Sequence, residues 1–101
     1  MDKLHSEAVD GLFRAILTLR TVEECYHFFE DACTINEILE ISQRFSVARM
    51  LDEGRVYSEV SRETGASTAT ISRVNKCLNY GSGGYRLALD RLRVGEDKDG
   101  A

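Results

Sequence analysis

Between positions 67 and 76 the chain concentrates side chains suited to recognition: Ser67, Thr68, Ala69, Thr70, Ser72, Arg73 and Lys76. Hydroxyls can hydrogen-bond base edges or hold bridging waters, and the small Ala69 can lie against a thymine methyl. Arg73 and Lys76 are cations on adjacent helical turns, placed to reach phosphates or a bound ligand. In a helix that enters a DNA major groove, the N-terminal residues meet the bases. Ser67 also suits an N-cap, its oxygen accepting a free N–H of the first turn, and Thr68 can share that role. Arg62 is a weaker candidate upstream.

Reaction chemistry finds no such concentration. No Ser/His/Asp set can be assembled, and Glu37 and Glu40 read as the solvated face of a helix. Gly81, Gly83 and Gly84 lack the lysine of a phosphate-binding loop. His5 and His27 stand alone without an i,i+4 partner, and zinc normally takes three or four protein ligands. Cys25, Cys33 and Cys77 are odd in number, have no CxxC spacing, and are expected as small buried hydrophobes in a reducing compartment. No catalytic residue and no metal ligand is expected.

The elements that must position the recognition residues are two short helices across a tight turn, in Tyr57 to Leu78, YSEVSRETGASTATISRVNKCL. Gly65 sits where the first must stop, because glycine accepts the positive φ of a helix C-cap. Helices over about Ser58–Thr64 and Thr68–Leu78, joined by a short glycine-bearing turn, make a helix-turn-helix. Val60, Ile71 and Val74 are its expected packing contacts.

Without proline and without sustained period-two alternation, the chain reads as all-α. A first helix over about Leu4–Leu19 carries a wide apolar face of Leu4, Ala8, Leu12, Ile16 and Leu19, with Gly11 marking a close helix crossing. Thr21 and Glu24 form a capping box for a second helix, whose expected buried stripe is Val22, Cys25, Tyr26, Phe29 and Ala32. Thr34 and Glu37 repeat the box for a long third helix reaching about Asp52, with Gly54 ending it. After the glycines at 81–84 a last amphipathic helix covers about Tyr85–Val94. Residues 95–101, GEDKDGA, read as a frayed tail. One helical domain of about six helices, 1–94, is therefore expected.

The formal net charge of −4 looks wrong for a nucleic-acid binder until it is divided along the chain. Residues 1–42 carry −6, residues 43–94 carry +4 and residues 95–101 carry −2. The basic segment holds the helix-turn-helix, so it can meet phosphates while the acidic half faces away. No apolar run approaches the roughly 20 residues of a membrane span, and Asp2, Glu7 and Asp10 argue against a signal peptide. A cytoplasmic location follows as the expectation. The wide N-terminal apolar face is hard to close within one small chain, and a two-fold dimer would cover it while presenting two reading helices.

Taken together, ETGASTATISRV and the preceding QRFSVARMLDEG resemble the Trp repressor superfamily, closest to its YerC/YecD-type members. The resemblance runs from about Leu4 to Leu92 and is strongest over Gln43–Leu78. It implies an intertwined, all-helical homodimer that binds double-stranded DNA. It also implies a tryptophan pocket between the long helix and the reading helix, framed by Arg44 and Arg73, with Thr70 as a further pocket residue. The repressor has glycine after its second pocket arginine, whereas this chain has Val74. A branched side chain there is unfavourable by roughly 1–3 kcal/mol in a snug pocket, so tryptophan is not carried over as a cofactor. Either the pocket takes a smaller effector, or Val74 fills it and the reading helix is held without one.

The expected function is a sequence-specific, dimeric DNA-binding transcriptional regulator, a repressor by resemblance. The rivals are a helical protein–protein interaction module and a regulator that responds to another small carboxylate.

Overall fold

Side-chain oxygens begin four of the six helices. In the computed structural model, which describes residues 2–100 and the side chains of 2–95, the elements are α1 (Glu7–Ile16), α2 (Val22–Ala32), α3 (Ile35–Asp52), α4 (Tyr57–Thr64), α5 (Thr68–Tyr80) and α6 (Gly84–Gly100). Ser6, Thr21, Thr34 and Ser67 accept the backbone N–H three residues on, at 3.2, 3.0, 3.1 and 3.1 Å. Each such cap contributes about 1 kcal/mol. The Thr34 box is reciprocal, with Glu37 accepting the Thr34 N–H at 2.8 Å. That bond, ahead of the Thr34 hydroxyl, holds the Glu37 carboxyl below its ordinary range. In the Thr21 box, Glu24 reaches one residue further back, to the Arg20 N–H at 2.8 Å.

Glycine stops two helices where expected. At the end of α3, Gly54 has φ 83°. Its N–H meets the Leu51 carbonyl at 3.0 Å and the Arg55 N–H meets Met50 at 3.1 Å, the two bonds of a Schellman closure. Gly65, at φ 74°, caps α4 and donates to the Ser61 carbonyl at 2.8 Å.

The ends of α1 differ from expectation. Asp2 accepts the N–H groups of Leu4 and His5, so Ser6 rather than Leu4 opens the helix. Tight i→i−3 bonds from Thr18 and Leu19 close it before Leu19. A Cβ on Gly11 would meet nothing within 4 Å, so among the described residues of the single chain nothing crosses close to it. Helix α6 runs past Val94 to Gly100; the expected fraying of 95–101 falls, beyond Gly95, outside the residues whose side chains are described.

Contacts divide the chain into two units, Met1–Ile38 and Leu39–Ala101. The second contains the core: Val47 and Ala48 of α3, Val60 of α4, Ala66 of the turn, Ile71, Val74 and Leu78 of α5, and Leu89 of α6. Phe45, Met50, Leu51 and Tyr85 pack against it half-buried. Asp52 binds Arg86 and Arg93 of α6, the latter at 2.5 Å. The Arg86 hydrogen bond is the main reason its carboxyl titrates below the usual aspartate range.

The first unit is different. Neither α1 nor α2 buries a residue. The stripe expected to be covered on α2 stands open, with Val22 74% and Tyr26 60% exposed, and Leu17 after α1 is 83% exposed. Two helices and a single turn of α3 present no surface wide enough to cover such faces. The cysteines also depart from expectation: Cys25 and Cys77 are exposed and Cys33 is half-buried. Cys25 shares the uncovered face of α2, and Cys77 lies on the flank of α5.

Candidate nucleic-acid interface

Helix α5 divides its side chains cleanly. At 3.6 residues per turn, Thr68, Ala69, Ser72, Arg73 and Lys76 fall within an arc of about 140°. All five are exposed, as is the cap residue Ser67. Ile71, Val74 and Leu78 occupy the opposite side and are buried. The helix is thus oriented by its apolar residues, and the recognition residues are those left facing outward. Thr70 lies on the flank, half-buried, its Oγ1 accepting from the Ser67 hydroxyl at 3.1 Å. No acidic residue occupies the first turn of α5, which leaves its N-terminal N–H groups a positive end.

Charge pairing sharpens the electrostatics. Arg55 holds Glu59 at 2.8 Å and Glu63 at 2.5 Å, and these hydrogen bonds, Glu59's foremost, raise its already high pKa. Asp52 is held by Arg86 and Arg93, and Asp90 by Arg93. Three of the nine cations of residues 43–94 therefore engage four of the five acids. Among the described residues, Arg44, Arg49, Arg62, Arg73, Lys76 and Arg91 have no carboxylate within ion-pair distance. Arg62, Arg73 and Lys76 are exposed on the helix-turn-helix. The segment's positive surplus thus includes three unpaired cations on α4 and α5.

The turn itself is tied by side chains that sequence reading passed over. Ser61 Oγ donates to the Ala66 carbonyl at 2.9 Å, and Thr64 Oγ1 accepts the Ala66 N–H at 3.1 Å. Gln43 Nε2, from α3, donates to the Thr64 carbonyl at 3.0 Å. Hydroxyl residues in the last turn before a glycine were the available signal for Ser61 and Thr64. Gln43 has no local signal, since its partner is 21 positions away.

Arg44 is half-buried on α3 and Arg73 is exposed on α5. Val74 is only 1% exposed and belongs to the core cluster with Ile71 and Leu78. Among the described residues no three His, Cys, Asp or Glu side chains gather as a metal site. None of the described helices is long and apolar enough to cross a membrane.

The family model for the Trp repressor protein matches residues 7–93. The chain belongs to the Trp repressor family. Among its relatives is the uncharacterized protein YerC of Bacillus subtilis (strain 168), 57% identical over 96 residues, covering 95% of this chain and 92% of YerC. The crystal structure of a TrpR-like protein from Eubacterium eligens ATCC 27750 is 60% identical, with a TM-score of 0.86 over 89% of this chain and 93% of that one. A chain from Staphylococcus aureus, described as a candidate Trp repressor, is 53% identical, with a TM-score of 0.86 over 90% of this chain and 91% of its own. For this member of the Trp repressor family, the six-helix order and the helix-turn-helix of α4 and α5 are thus set in a TrpR-like fold.

Proposed function

We propose that the protein is a dimeric, sequence-specific DNA-binding regulator of transcription that represses its targets by occupying DNA. The observation that carries this reading is the outward face of α5: Ser67, Thr68, Ala69, Ser72, Arg73 and Lys76 are all exposed, opposite the buried Ile71, Val74 and Leu78. The hydroxyls and Ala69 read base edges, and Arg73 and Lys76 anchor the helix to phosphates. Membership of the Trp repressor family supports the same reading.

Dimerisation is supported by the uncovered apolar faces of α1 and α2. A groove of about 250 Å³ in the first unit is lined by Val22, Cys25, Tyr26, Phe29 and Ile38, and a second copy would fill it. A two-fold dimer then sets two reading helices against inverted half-sites about one DNA turn apart. Val74 occupies the inner side of α5, so the protein works without tryptophan as corepressor. Arg44, Thr70 and Arg73 then serve the framework and the phosphate contact rather than a ligand.

The test is selection of bound duplexes from a random pool, followed by a salt titration on the selected sequence. A near-palindrome should emerge, with affinity falling steeply as salt rises. Binding that is indifferent to salt, or no stronger than to random duplex, would refute the proposal.

A further inference from the structure

Gln43 lies outside the reading face, yet among the described residues it is the one side chain of α3 that hydrogen-bonds to the α4–turn–α5 segment. Its Nε2 donates to the Thr64 carbonyl at 3.0 Å. Thr64 is the last residue of α4, and carbonyls at a helix C-terminus have no donor within the helix. The same nitrogen is 3.9 Å from where a Cβ on Gly65 would stand, so α3 abuts the turn at its tightest point. Val47, one helical turn beyond Gln43, is fully buried in the core, which fixes the face of α3 from which Gln43 projects.

Around that anchor the turn closes its own polar groups. Thr64 Oγ1 donates to the Val60 carbonyl at 2.7 Å and accepts the Ala66 N–H, while Ser61 Oγ donates to the Ala66 carbonyl. Those bonds shape the turn locally, but none of them ties it to the long helix. Among the described residues, only the Gln43 amide does so by a directional contact. Val47 shares the buried apolar cluster with Val60, Ala66 and Ile71, but apolar packing tolerates small rotations, whereas a hydrogen bond constrains direction.

We infer that Gln43 is a positioning residue for the reading helix, pinning the α4–α5 turn to α3 through the Thr64 carbonyl so that the chain itself holds the pose of α5. This role rests on the reading of α5 as the DNA-contacting helix. It supplies, from within the chain, a directional restraint between α3 and the turn that precedes α5.

The test is Gln43→Met, which keeps side-chain length and helix preference but removes the donor. In the free full-length protein, amide hydrogen exchange is followed at Gly65, Ala66 and, as a core reporter, Leu78. Loss of one neutral hydrogen bond should speed exchange at Gly65 and Ala66 about three- to tenfold and leave Leu78 unchanged. Unchanged rates at all three amides, or equal acceleration at all three, would overturn the positioning role. On DNA, the variant should lose about three- to tenfold in affinity for a duplex selected by the wild-type protein. Binding to random duplex should stay the same, because the cations that provide it are untouched. A parallel loss on both duplexes would mark Gln43 as merely stabilising and overturn the inference. A wild-type protein that prefers no duplex would overturn the reading of α5 instead, and the exchange rates would still decide whether Gln43 pins the turn.

Discussion

Val74 is where packing and ligand control make opposite demands, and substituting it separates them. The side chain is 1% exposed and lies in one cluster with Ile71, Leu78 and the α3 residues Val47 and Ala48. Val74→Ala removes two buried carbons, a transfer loss of about 1.6 kcal/mol at about 0.8 kcal/mol each. An unrelaxed cavity of roughly 40 Å³ adds about 1 kcal/mol, so the total is about 2–3 kcal/mol. Val74→Gly removes a third carbon and places glycine inside a helix, which brings the cost to about 4 kcal/mol. Domain stability is typically 5–15 kcal/mol, so the alanine variant stays folded and the glycine variant approaches the limit. Urea unfolding at fixed protomer concentration measures the difference, and a midpoint lowered by about 1–2 M is expected for Val74→Ala. A loss below about 0.5 kcal/mol would be a surface-like effect and would refute the packing argument. The same melts are repeated with free tryptophan. It should leave the wild-type midpoint unmoved, and a tryptophan-dependent rise in the wild-type protein would refute control without corepressor.

Three further outcomes are expected. Gly65→Ala should cost about 1–2 kcal/mol, because the φ of 74° disfavours any Cβ; the added atom meets only Gln43 Nε2 at 3.9 Å, so urea melts should report backbone strain and no steric clash. With Arg62, Arg73 and Lys76 exposed on each protomer, a dimer can neutralise about six phosphates, giving a log–log salt slope near −5; Lys76→Ala should flatten it by about 2 in a fluorescence-anisotropy titration. Asp52 has a carboxyl held low by Arg86 and then Arg93, so its stabilisation is present above about pH 4, the unfolded aspartate value. That contribution is lost as pH falls through the lowered folded value, so Asp52→Asn should reduce the urea midpoint at neutral pH and converge with wild type in acid.

The parts legible in the chain are those whose causes act within a few residues. Thr21, Thr34 and Ser67 cap helices because their oxygens reach an N–H three residues away. Gly54 and Gly65 stop helices because they accept positive φ. The two-sided pattern of α5 follows from helical spacing alone, which is why Thr68, Ala69, Ser72, Arg73 and Lys76 face outward and why Ile71 and Val74 are buried as expected, with Leu78 joining them. The boundaries of α1 were less legible, since Asp2 competes for the first N–H groups and shifts the start to Ser6.

Apolar spacing likewise marked a face on α1 and α2, but it could not say what covers that face. Periodicity records which side of a helix is apolar and carries no information about the surface opposite. Val22 and Tyr26 were expected inside and stand exposed in the single chain. The same blindness hid the pairing of Arg55 with Glu59 and Glu63 and of Asp52 with Arg86 and Arg93, and so hid which cations remain unpaired.

Sequence alone determined an all-helical chain, a helix-turn-helix at Tyr57–Leu78 and the set of outward residues on its second helix, because caps, glycine turns and helical period are local. Tertiary structure decided that Gln43 meets Thr64, that Val74 shares one cluster with Val47 and Ala48 of α3, and that the unpaired cations of the basic segment include Arg62, Arg73 and Lys76. Those outcomes depend on side chains brought together from distant positions, and the burial that makes them count exists only once the helices have packed.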